Sequence, residues 1–436
     1  MCADYLANCL FCLFEILDRP NDLDLCIEAW QQAIHLTPDD NSHKPARLSS
    51  LGISFEHRFG RLGNHADVNE AIMTHQQAVL LTPDGHPDKP AYLNNLGNSF
   101  RNRFGHLRNL ADITEAIMAQ QQAVHLTPDG HPAKLVCLNN LGSSLKSRFG
   151  RLGNLSDINE AIKAQQQAVQ LTPDGHPNKP AYLNHLGSSF QSRFGRLGNL
   201  ADINEAIKAQ QQAVHIIVPD GHPNQPAYLN HIGSAFQSRF RCLGNLADVN
   251  AAIKAQQQAV QLTPDGHPSK PIYLNNLGSS FKSRFVHLSN LADVNEAIKV
   301  QQQAVHLTPD GHPNKPIYLN NLGRSYESRS GHFGNLADVN EAIMAQQRAV
   351  HLTPDAHPDK PAYLNDLGIS FRSRFKRLAD LADINEAIVA QQQAVDLTPD
   401  DHPNKLQSLG NLRLSLSLKD RSEHLCNLMG TEKTKQ

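Results

Sequence analysis

The sequence predicts an all-α protein in which pairs of helices stack one after another into a solenoid. The first observation is a repeat: the proline of a recurring Thr-Pro-Asp sequence, which is Val-Pro-Asp in one copy, returns every 45 residues along the 436-residue chain. One step is 46 residues long, at residues 215–220. The second observation is that each period holds two stretches whose apolar residues recur at spacings of three and four. These prolines are Pro38, Pro83, Pro128, Pro173, Pro219, Pro264, Pro309, Pro354 and Pro399.

The first helix of the period is clearest at residues 90–107. Leu93, Leu96, Gly97, Phe100 and Phe104 fall at spacings of one, three and four, so they lie on one face of a helix. The opposite face is polar. A glycine inside this apolar face predicts a close approach by another helix.

The second helix of the period is clearest at residues 111–126. Ile113 and Ile117 belong to its apolar face, and Pro128 follows its end. We expect Asp112 and Glu115 to form a capping box at its start, with the Asp carboxylate accepting a backbone N–H. The Asp-Gly-His-Pro stretch that follows then supplies a turn between one helix pair and the next.

Composition narrows the classes of protein that fit. Hydrophobic residues make up 40% and aromatic residues 6%, which suits many small cores better than one large core. The net charge of −2 and the lack of a basic cluster do not favour nucleic-acid binding. Trp30 is the only tryptophan, and no Trp-Asp dipeptide occurs, so the 45-residue period does not indicate a WD40 propeller.

The seven cysteines and the N-terminal apolar run bear on the compartment. The cysteines do not follow the repeat, which indicates free thiols rather than a disulfide framework. Asp4 stands where a signal peptide would be basic, and the run is too short to span a bilayer. We therefore expect a cytoplasmic protein, with a nuclear location not excluded, that neither spans nor binds a membrane.

A pattern of Leu-x2-Leu-Gly-x2-Phe in the first helix, followed by alanines in the second helix and a closing proline, resembles the tetratricopeptide repeat (TPR) family. In one copy these residues are Leu93, Leu96, Gly97, Phe100, Ala116, Ala123 and Pro128. Leu93 stands where the family has Trp, and Gln120 where it has an aromatic residue. The expanded period resembles the repeats of kinesin light chain and the TPR arrays of fungal proteins that often carry a caspase-like CHAT peptidase domain. The resemblance implies a right-handed α-solenoid of stacked helix-turn-helix repeats.

The repeat predicts four segments. Residues 1–40 form a degenerate N-terminal TPR-like repeat, residues 41–400 hold eight tandem repeats of about 45 residues, residues 401–424 form a C-terminal capping helix, and residues 425–436 are a polar tail. The eight tandem copies are marked by a glycine where their two helices cross. These glycines are Gly52, Gly97, Gly142, Gly187, Gly233, Gly278, Gly323 and Gly368.

The first helices carry the candidate binding residues. Three positions before each of seven crossing glycines stands an asparagine, and one position after six of them a residue that is usually serine, so the two share a helix face. The resemblance to kinesin light chain repeats implies that these asparagines bind the backbone of a partner peptide in a concave groove. The candidate residues are Asn94, Asn98, Asn139, Ser143, Asn184, Ser188, Asn230, Ser234, Asn275, Ser279, Asn320, Arg324 and Asn365. The neighbouring residues His185, His231, Asn276, Asn321 and Asp366 would then tune specificity. An ordinary solvated helix face, copied by duplication, explains the same pattern.

Three other recurring residues have competing interpretations. An arginine six residues after each glycine, such as Arg148, either binds carbonyl or acidic groups within the protein or grips an acidic partner. The recurring histidine, such as His131, is interpreted as a turn residue hydrogen-bonded to the backbone, because ligands one repeat apart cannot share a metal ion. The Gln-Gln-Gln runs, such as residues 165–167, are interpreted as solvated.

The predicted function is that of a non-enzymatic scaffold that binds peptide segments of other proteins in the groove. No motif of a hydrolase, metalloprotease or P-loop enzyme occurs in the sequence, so neither catalysis nor a cofactor is expected. The alternative is a sensor or regulatory arm of a CHAT peptidase system whose catalytic domain is absent from this chain. Self-association through the N-terminal apolar helix is a further expectation.

Overall fold

The computed structural model describes residues 2–17, 19–217, 222–355, 357–400 and 404–433. These residues form nineteen α-helices and no β-strand. The first ten helices are α1 Cys2–Leu17, α2 Pro20–His35, α3 Lys44–Leu62, α4 His65–Leu81, α5 Lys89–Leu107, α6 Leu110–Leu126, α7 Ala133–Leu152, α8 Leu155–Leu171, α9 Lys179–Leu197 and α10 Leu200–Ile217. The other nine are α11 Gln225–Leu243, α12 Leu246–Leu262, α13 Lys270–Leu288, α14 Leu291–His306, α15 Lys315–Phe333, α16 Leu336–His351, α17 Lys360–Leu378, α18 Leu381–Asp396 and α19 Lys405–Lys433.

The chain forms two compact units, Met1–Ile217 and Val218–Gln436. Unit 1 contains five helix pairs, from α1–α2 to α9–α10, and unit 2 contains four pairs, from α11–α12 to α17–α18, followed by α19. In each pair the odd-numbered first helix packs against the even-numbered second helix. The prediction of an all-α solenoid of stacked helix pairs is confirmed.

Successive pairs stack through two kinds of contact. Within unit 1 each second helix packs on the first helix of the next pair, as α4 does on α5, and the same holds in unit 2 from α12 to α19. First helices of successive pairs also touch, as α5 and α7 do in unit 1 and α13 and α15 in unit 2, while second helices make no comparable contact in the part of the chain that the structure describes. The first helices are therefore the more closely spaced layer. We call the surface that they present in each unit the inner face.

The crossing of the two helices in a pair requires glycine. A β-carbon at Gly97 would lie 2.6 Å from the Cγ of Gln120 and 3.0 Å from the carbonyl oxygen of Ala116, closer than packed atoms approach. The same close approach recurs at every later crossing glycine up to Gly368, each against the glutamine equivalent to Gln120. Ile113 and Phe104 are fully buried beside this crossing. The expectation that the glycine permits close helix packing is confirmed.

The second helices begin three residues earlier than the predicted capping box. Asn109 is the N-cap of α6, and its Oδ1 accepts a hydrogen bond from the backbone N–H of Ala111 at 3.0 Å. Asp112 lies inside the helix, buried, and binds Arg103 instead. The capping box of Asp112 and Glu115 was therefore wrong, because the asparagine just before the leucine already satisfies the free N–H groups.

The turn between pairs is held by a contact that the sequence analysis did not predict. The hydroxyl of Thr127 donates to the carbonyl of Ala123 at 2.6 Å, and the ammonium of Lys134 in the next helix donates to the carbonyl of Thr127 at 2.8 Å. A charged amine thus caps the C-terminal end of the preceding second helix. The equivalent lysines are Lys44, Lys89, Lys179, Lys270, Lys315, Lys360 and Lys405.

The recurring histidine belongs to the same turn. Nδ1 of His131 accepts a hydrogen bond from the backbone N–H of Ala133 at 3.2 Å. The interpretation as a turn residue bonded to backbone is confirmed at His86, His131, His176, His222, His267, His312 and His357. His402 lies outside the described residues.

The two ends of the chain differ from the tandem copies. The segment expected to be a degenerate repeat, residues 1–40, holds the pair α1–α2, with Trp30 buried between them and the next pair. The final helix α19 runs from Lys405 to Lys433, so it continues beyond residue 424 into the stretch expected to be a polar tail. No described helix is long and apolar enough to cross a membrane.

Candidate interaction surface on the first helices

The recurring arginines bind carboxylates of their own helix pair. Arg148 makes two parallel hydrogen bonds to Asp157, 2.9 Å from Nε and 2.6 Å from Nη2. The Asp157 side chain is only 4% exposed, and its hydrogen bonds raise the pKa of Arg148. The same pairs are Arg58–Asp67, Arg103–Asp112, Arg193–Asp202, Arg239–Asp248, Arg284–Asp293, Arg329–Asp338 and Arg374–Asp383. Binding within the protein is therefore the interpretation that the structure supports for these arginines.

The arginines also link one pair to the next. Arg193 donates through Nη1 to the amide oxygen of Asn159 in the preceding second helix at 2.8 Å. Arg284 makes the equivalent bond to Asn250 at 2.7 Å. Each guanidinium thus fixes both the angle within its pair and the position of the preceding pair.

The asparagines expected to form the binding ladder are buried. Asn94, Asn139, Asn184, Asn230, Asn275, Asn320 and Asn365 are between 3% and 9% exposed. Most of them bond to the neighbouring first helix: the amide of Asn140 donates to Oδ1 of Asn94 at 3.0 Å. The equivalent bonds run from Asn276 to Asn230, from Asn321 to Asn275 and from Asn411 to Asn365. These amides therefore join repeats, and they are not free groups on the inner face.

The residues expected to tune specificity supply the other half of these bonds. A ring nitrogen of His185 lies 2.9 Å from Oδ1 of Asn139, and the amide of Asn320 donates to Asp366 at 2.8 Å. A change at such a position alters the contact between repeats as well as the surface.

The remaining candidate residues do reach the inner face. Asn98, Ser143, Ser188, Ser234 and Ser279 are half-buried, and Arg324 is exposed. The hydroxyls of Ser143, Ser234 and Ser279 donate to the carbonyl of the asparagine four residues earlier at 3.0 Å. Because the hydroxyl hydrogens are used within the helix, these oxygens are left mainly as hydrogen-bond acceptors.

A second row of inner-face residues was missed by the sequence analysis. Four residues after each crossing glycine the residue changes from copy to copy, and we call these positions the variable row. In unit 1 the row is Glu56, Arg101, Lys146 and Gln191, and in unit 2 it is Gln237, Lys282, Glu327 and Arg372. The signal that could have found it was variation at one fixed position of an otherwise near-identical repeat.

In unit 1 two residues of the variable row, Glu56 and Arg101, line a cleft of 410 Å³. The cleft is lined by Glu56, Phe59, Gly60, Arg101, Asn102, Gly105, His106 and Ser147. Glu56 accepts a hydrogen bond from the hydroxyl of Ser99 at 2.5 Å, and burial raises its pKa to about 7. Burial lowers the pKa of Arg101, and burial together with the charge of Arg101 lowers the pKa of Lys146.

In unit 2 the same row mixes charges of both signs. Burial, with a contribution from Arg324, lowers the pKa of Lys282 to about 7, while Asp366 and Glu327 act in the opposite direction. Glu327 accepts a hydrogen bond from Ser373 at 2.9 Å. Asp366 lies 3.8 Å from Arg324. The cations of this cluster therefore have carboxylates close by.

The interpretation of the Gln-Gln-Gln runs as solvated was wrong for the first glutamine of each run. Gln165 is fully buried against Gly142, while Gln166 and Gln167 are exposed. In the first tandem copy the equivalent residue is His75, which is fully buried with neither ring nitrogen hydrogen-bonded among the described residues. Burial lowers the pKa of His75 to about 4, so this imidazole is neutral at pH 7.

Within the described ranges no three histidine, cysteine, aspartate or glutamate side chains lie close enough to share a metal ion. Cys9 and Cys12 are free thiols, and both are exposed on α1.

Comparison with known proteins identifies the fold. No family model and no curated protein sequence matches the chain. Among solved structures, a signal transduction ATPase with a TPR sensor from Pyrococcus horikoshii is similar with a TM-score of 0.57 and 14% identity, covering 89% of this chain and 51% of that protein. This chain thus spans about half the length of that protein.

Two further solved structures share the repeat type at lower similarity. The TPR-like repeats of a kinesin light chain homologue from Podospora anserina match with a TM-score of 0.39 and 18% identity, covering 51% of this chain and 96% of that one. A TPR protein from Parabacteroides merdae matches with a TM-score of 0.46 and 13% identity, covering 75% of this chain and 98% of that one.

The stacked pairs, the crossing glycine and the polar inner face define the class of protein. The chain is a helical-repeat protein with the TPR fold.

Proposed function

We propose that the protein is a non-enzymatic scaffold that binds peptide segments of other proteins along the inner face of its helix pairs. The observation that supports this proposal is a contrast between two sets of residues. One set, which we call the frame, is the same in every tandem copy, and the other is the variable row. The crossing glycines and Arg–Asp pairs repeat in every tandem copy, while the charge of the variable row changes from one copy to the next. Structural requirements alone would favour the same residue in each copy.

The chemistry of the inner face suits an extended peptide. Asn98 and the serines equivalent to Ser143 present polar atoms at a regular spacing, as the backbone N–H groups of a peptide require. The variable row lies one helical turn away on the same helices and would select side chains. The buried asparagines, such as Asn139, would contribute indirectly, because their bonds fix the distance between neighbouring first helices.

Affinity capture with the full chain tests this proposal. Ser143→Arg combined with Ser188→Arg places two large cations on the inner face, and Gln166→Arg combined with Gln211→Arg adds the same charge at exposed positions of second helices. Partners captured by the unaltered protein should be retained by the second variant and reduced about tenfold in the first, a loss of about 1.4 kcal/mol. Equal capture by both variants would remove the inner face from the proposal. Cross-linking and mass spectrometry would then locate the surface that is used.

A second candidate is a sensor arm of a larger signalling system. The likeness to an ATPase that carries a TPR sensor favours this candidate at the level of fold. Association with a caspase-like CHAT peptidase stays a prediction. Isolation of the native complex distinguishes the two candidates: an ATPase or peptidase bound in equal amount favours the sensor arm, and varied peptide-bearing partners favour the scaffold.

Self-association through α1 also stays a prediction. This helix exposes Tyr5, Leu6, Leu13 and Ile16, which a contact with another copy would bury. Sedimentation of the full chain and of a Leu6→Lys, Ile16→Lys variant would measure it, with a shift to a smaller species expected in the variant.

A further inference from the structure

Two cations on the inner face of unit 1 differ from the other half-buried cations of that unit. The recurring arginines bind aspartate, and the recurring lysines cap helix ends. Arg101 and Lys146 are half-buried, and no acceptor lies within hydrogen-bonding distance of either among the described residues. The charge of Glu56 attracts Arg101, and no carboxylate acts in this way on Lys146. Burying cations without enough opposite charge is unfavourable, so these two neighbouring residues indicate a site for an anion.

The two residues lie where one ligand can reach both. Arg101 is on α5 and Lys146 at the equivalent position of α7, and these helices are in contact. Arg101 and its neighbour Asn102 line the 410 Å³ cleft, and the amide of Asn102 has no hydrogen-bond partner within the described residues. The fork of N–H groups on Arg101 and the amide of Asn102 supply donors to the cleft. Lys146 does not line it, but its ammonium is close enough to Arg101 for the two charges to repel each other.

The charge of the cleft points to a doubly charged ligand. Its one carboxylate, Glu56, already accepts a hydrogen bond from Ser99 and is close to half protonated at pH 7, so it neutralises less than one of the two cations. A carboxylate ligand would leave a cation unpaired, whereas a phosphate monoester carries about −1.5 to −2 at this pH. Phosphate oxygens also match the paired N–H groups of arginine.

We propose that Arg101, Lys146 and Asn102 form a binding site for a phosphate monoester, carried by a phosphorylated residue of the peptide segment on the inner face. Arg101 binds two phosphate oxygens, Lys146 neutralises the remaining charge, and Asn102 orients the group. This proposal rests on the proposed function. It adds that the partner is phosphorylated and that the modified residue binds between α5 and α7.

The site is tested with phenyl phosphate as the probe and the full chain as the protein. Titrations at pH 7.5 and constant ionic strength would compare the unaltered protein with Arg101→Gln, Lys146→Gln and the control Lys163→Gln, which removes the same charge at an exposed position of α8. Saturable binding is expected, with affinity about tenfold lower in each cleft variant and unchanged in the control. Benzoate, of similar size but with a single charge, should bind at least about tenfold more weakly.

Three results would overturn the proposal: no saturable binding of phenyl phosphate, equal binding by the cleft variants and the control, or equal affinity for benzoate. Circular dichroism melting of each variant shows whether a loss of binding reflects unfolding, and Lys146→Gln keeps the test valid if Arg101→Gln is unstable. Because the probe needs no partner protein, its failure is distinct from failure of the proposed scaffold function. A scaffold whose partners are not phosphorylated would capture proteins and not bind the probe.

Discussion

The inner faces of the two units share one frame and carry different charges. Lys146 of unit 1 and Lys282 of unit 2 occupy the same position four residues after a crossing glycine, and burial lowers the pKa of both. Lys146 stands beside Arg101, whereas Lys282 stands among arginines and the carboxylates Glu327 and Asp366. The variable row can therefore differ between copies that keep the same glycine crossings and Arg–Asp pairs.

The largest expected effect tests whether the frame is the same in both units. Gly142→Val in unit 1 and Gly278→Val in unit 2 each force a side chain against a glutamine Cγ and an alanine carbonyl oxygen. Each variant should lose about 3 kcal/mol of unfolding free energy, measured by urea denaturation followed at 222 nm. Gly150→Ala is the control, since a β-carbon there meets no atom within 4 Å and should leave stability unchanged or slightly raised. A marked difference between the two valine variants would mean that the frames differ.

The second-largest effect is a pH dependence of stability that is expected from unit 1 and not from unit 2. Among the crossings that the structure describes, only the one at Gly52 in unit 1 has a histidine, His75. Its pKa of about 4 lies below the unfolded value of about 6.5. The unfolded chain therefore binds the proton first, so stability from this residue is present above pH 6.5 and is lost as the pH falls toward 4. At pH 5 the loss should be on the order of 2 kcal/mol relative to pH 7, measured as the difference between the unaltered protein and His75→Gln. Parallel pH profiles for the two proteins would contradict the burial of a neutral imidazole.

A charge exchange tests the contrast between the variable rows. Gln191→Glu gives Lys146 the carboxylate on the next first helix that Glu327 gives Lys282. We expect it to weaken phenyl phosphate binding about tenfold, or about 1.4 kcal/mol, by repelling the anion and partly neutralising Lys146. Gln166→Glu, at an exposed position of α8, should change the affinity little. Equal binding of the probe by both variants would contradict the proposed effect of the variable row on anion binding.

The smallest effect concerns the bonds between first helices. Asn139→Ala in unit 1 and Asn275→Ala in unit 2 remove the acceptors for His185 and Asn321. Each should lower the unfolding free energy by about 1 kcal/mol, visible as a lower thermal midpoint. Asn102→Ala, whose amide has no such partner in the described structure, serves as the control. Unchanged melting of both alanine variants would show that these amides do not stabilise the stack.

Much of the fold could be predicted from the sequence because the helical spacing within each copy and the 45-residue period both indicate stacked helix pairs. The spacing of Leu93, Leu96 and Phe100 requires a helix with one apolar face, and Gly97 in that face requires a close helix partner. The 45-residue period then requires that each pair pack on an equivalent pair. None of these conclusions depends on how far apart the helices lie.

The candidate site could be predicted only in part, because helical spacing gives a face and does not give the distance to the neighbouring helix. Asn139 and Ser143 share a face, yet only Ser143 remains accessible once α9 packs beside α7. Asp112 has the spacing of a cap and is instead the buried partner of Arg103. A polar residue at such a position binds whichever group the adjacent helix brings within about 3 Å.

By itself, then, the sequence determined that the chain folds as repeated helix pairs that cross at glycine. The tertiary structure decided which polar residues hold the repeats together and which stay accessible on the inner face. The physical reason is that a residue repeated in every copy meets the equivalent surface of its neighbours, so recurrence alone does not separate stacking from binding. Asn139 recurs and is buried between helices, while Arg101 and Lys146 stand where the residue differs from copy to copy and have no acceptor within hydrogen-bonding distance among the described residues.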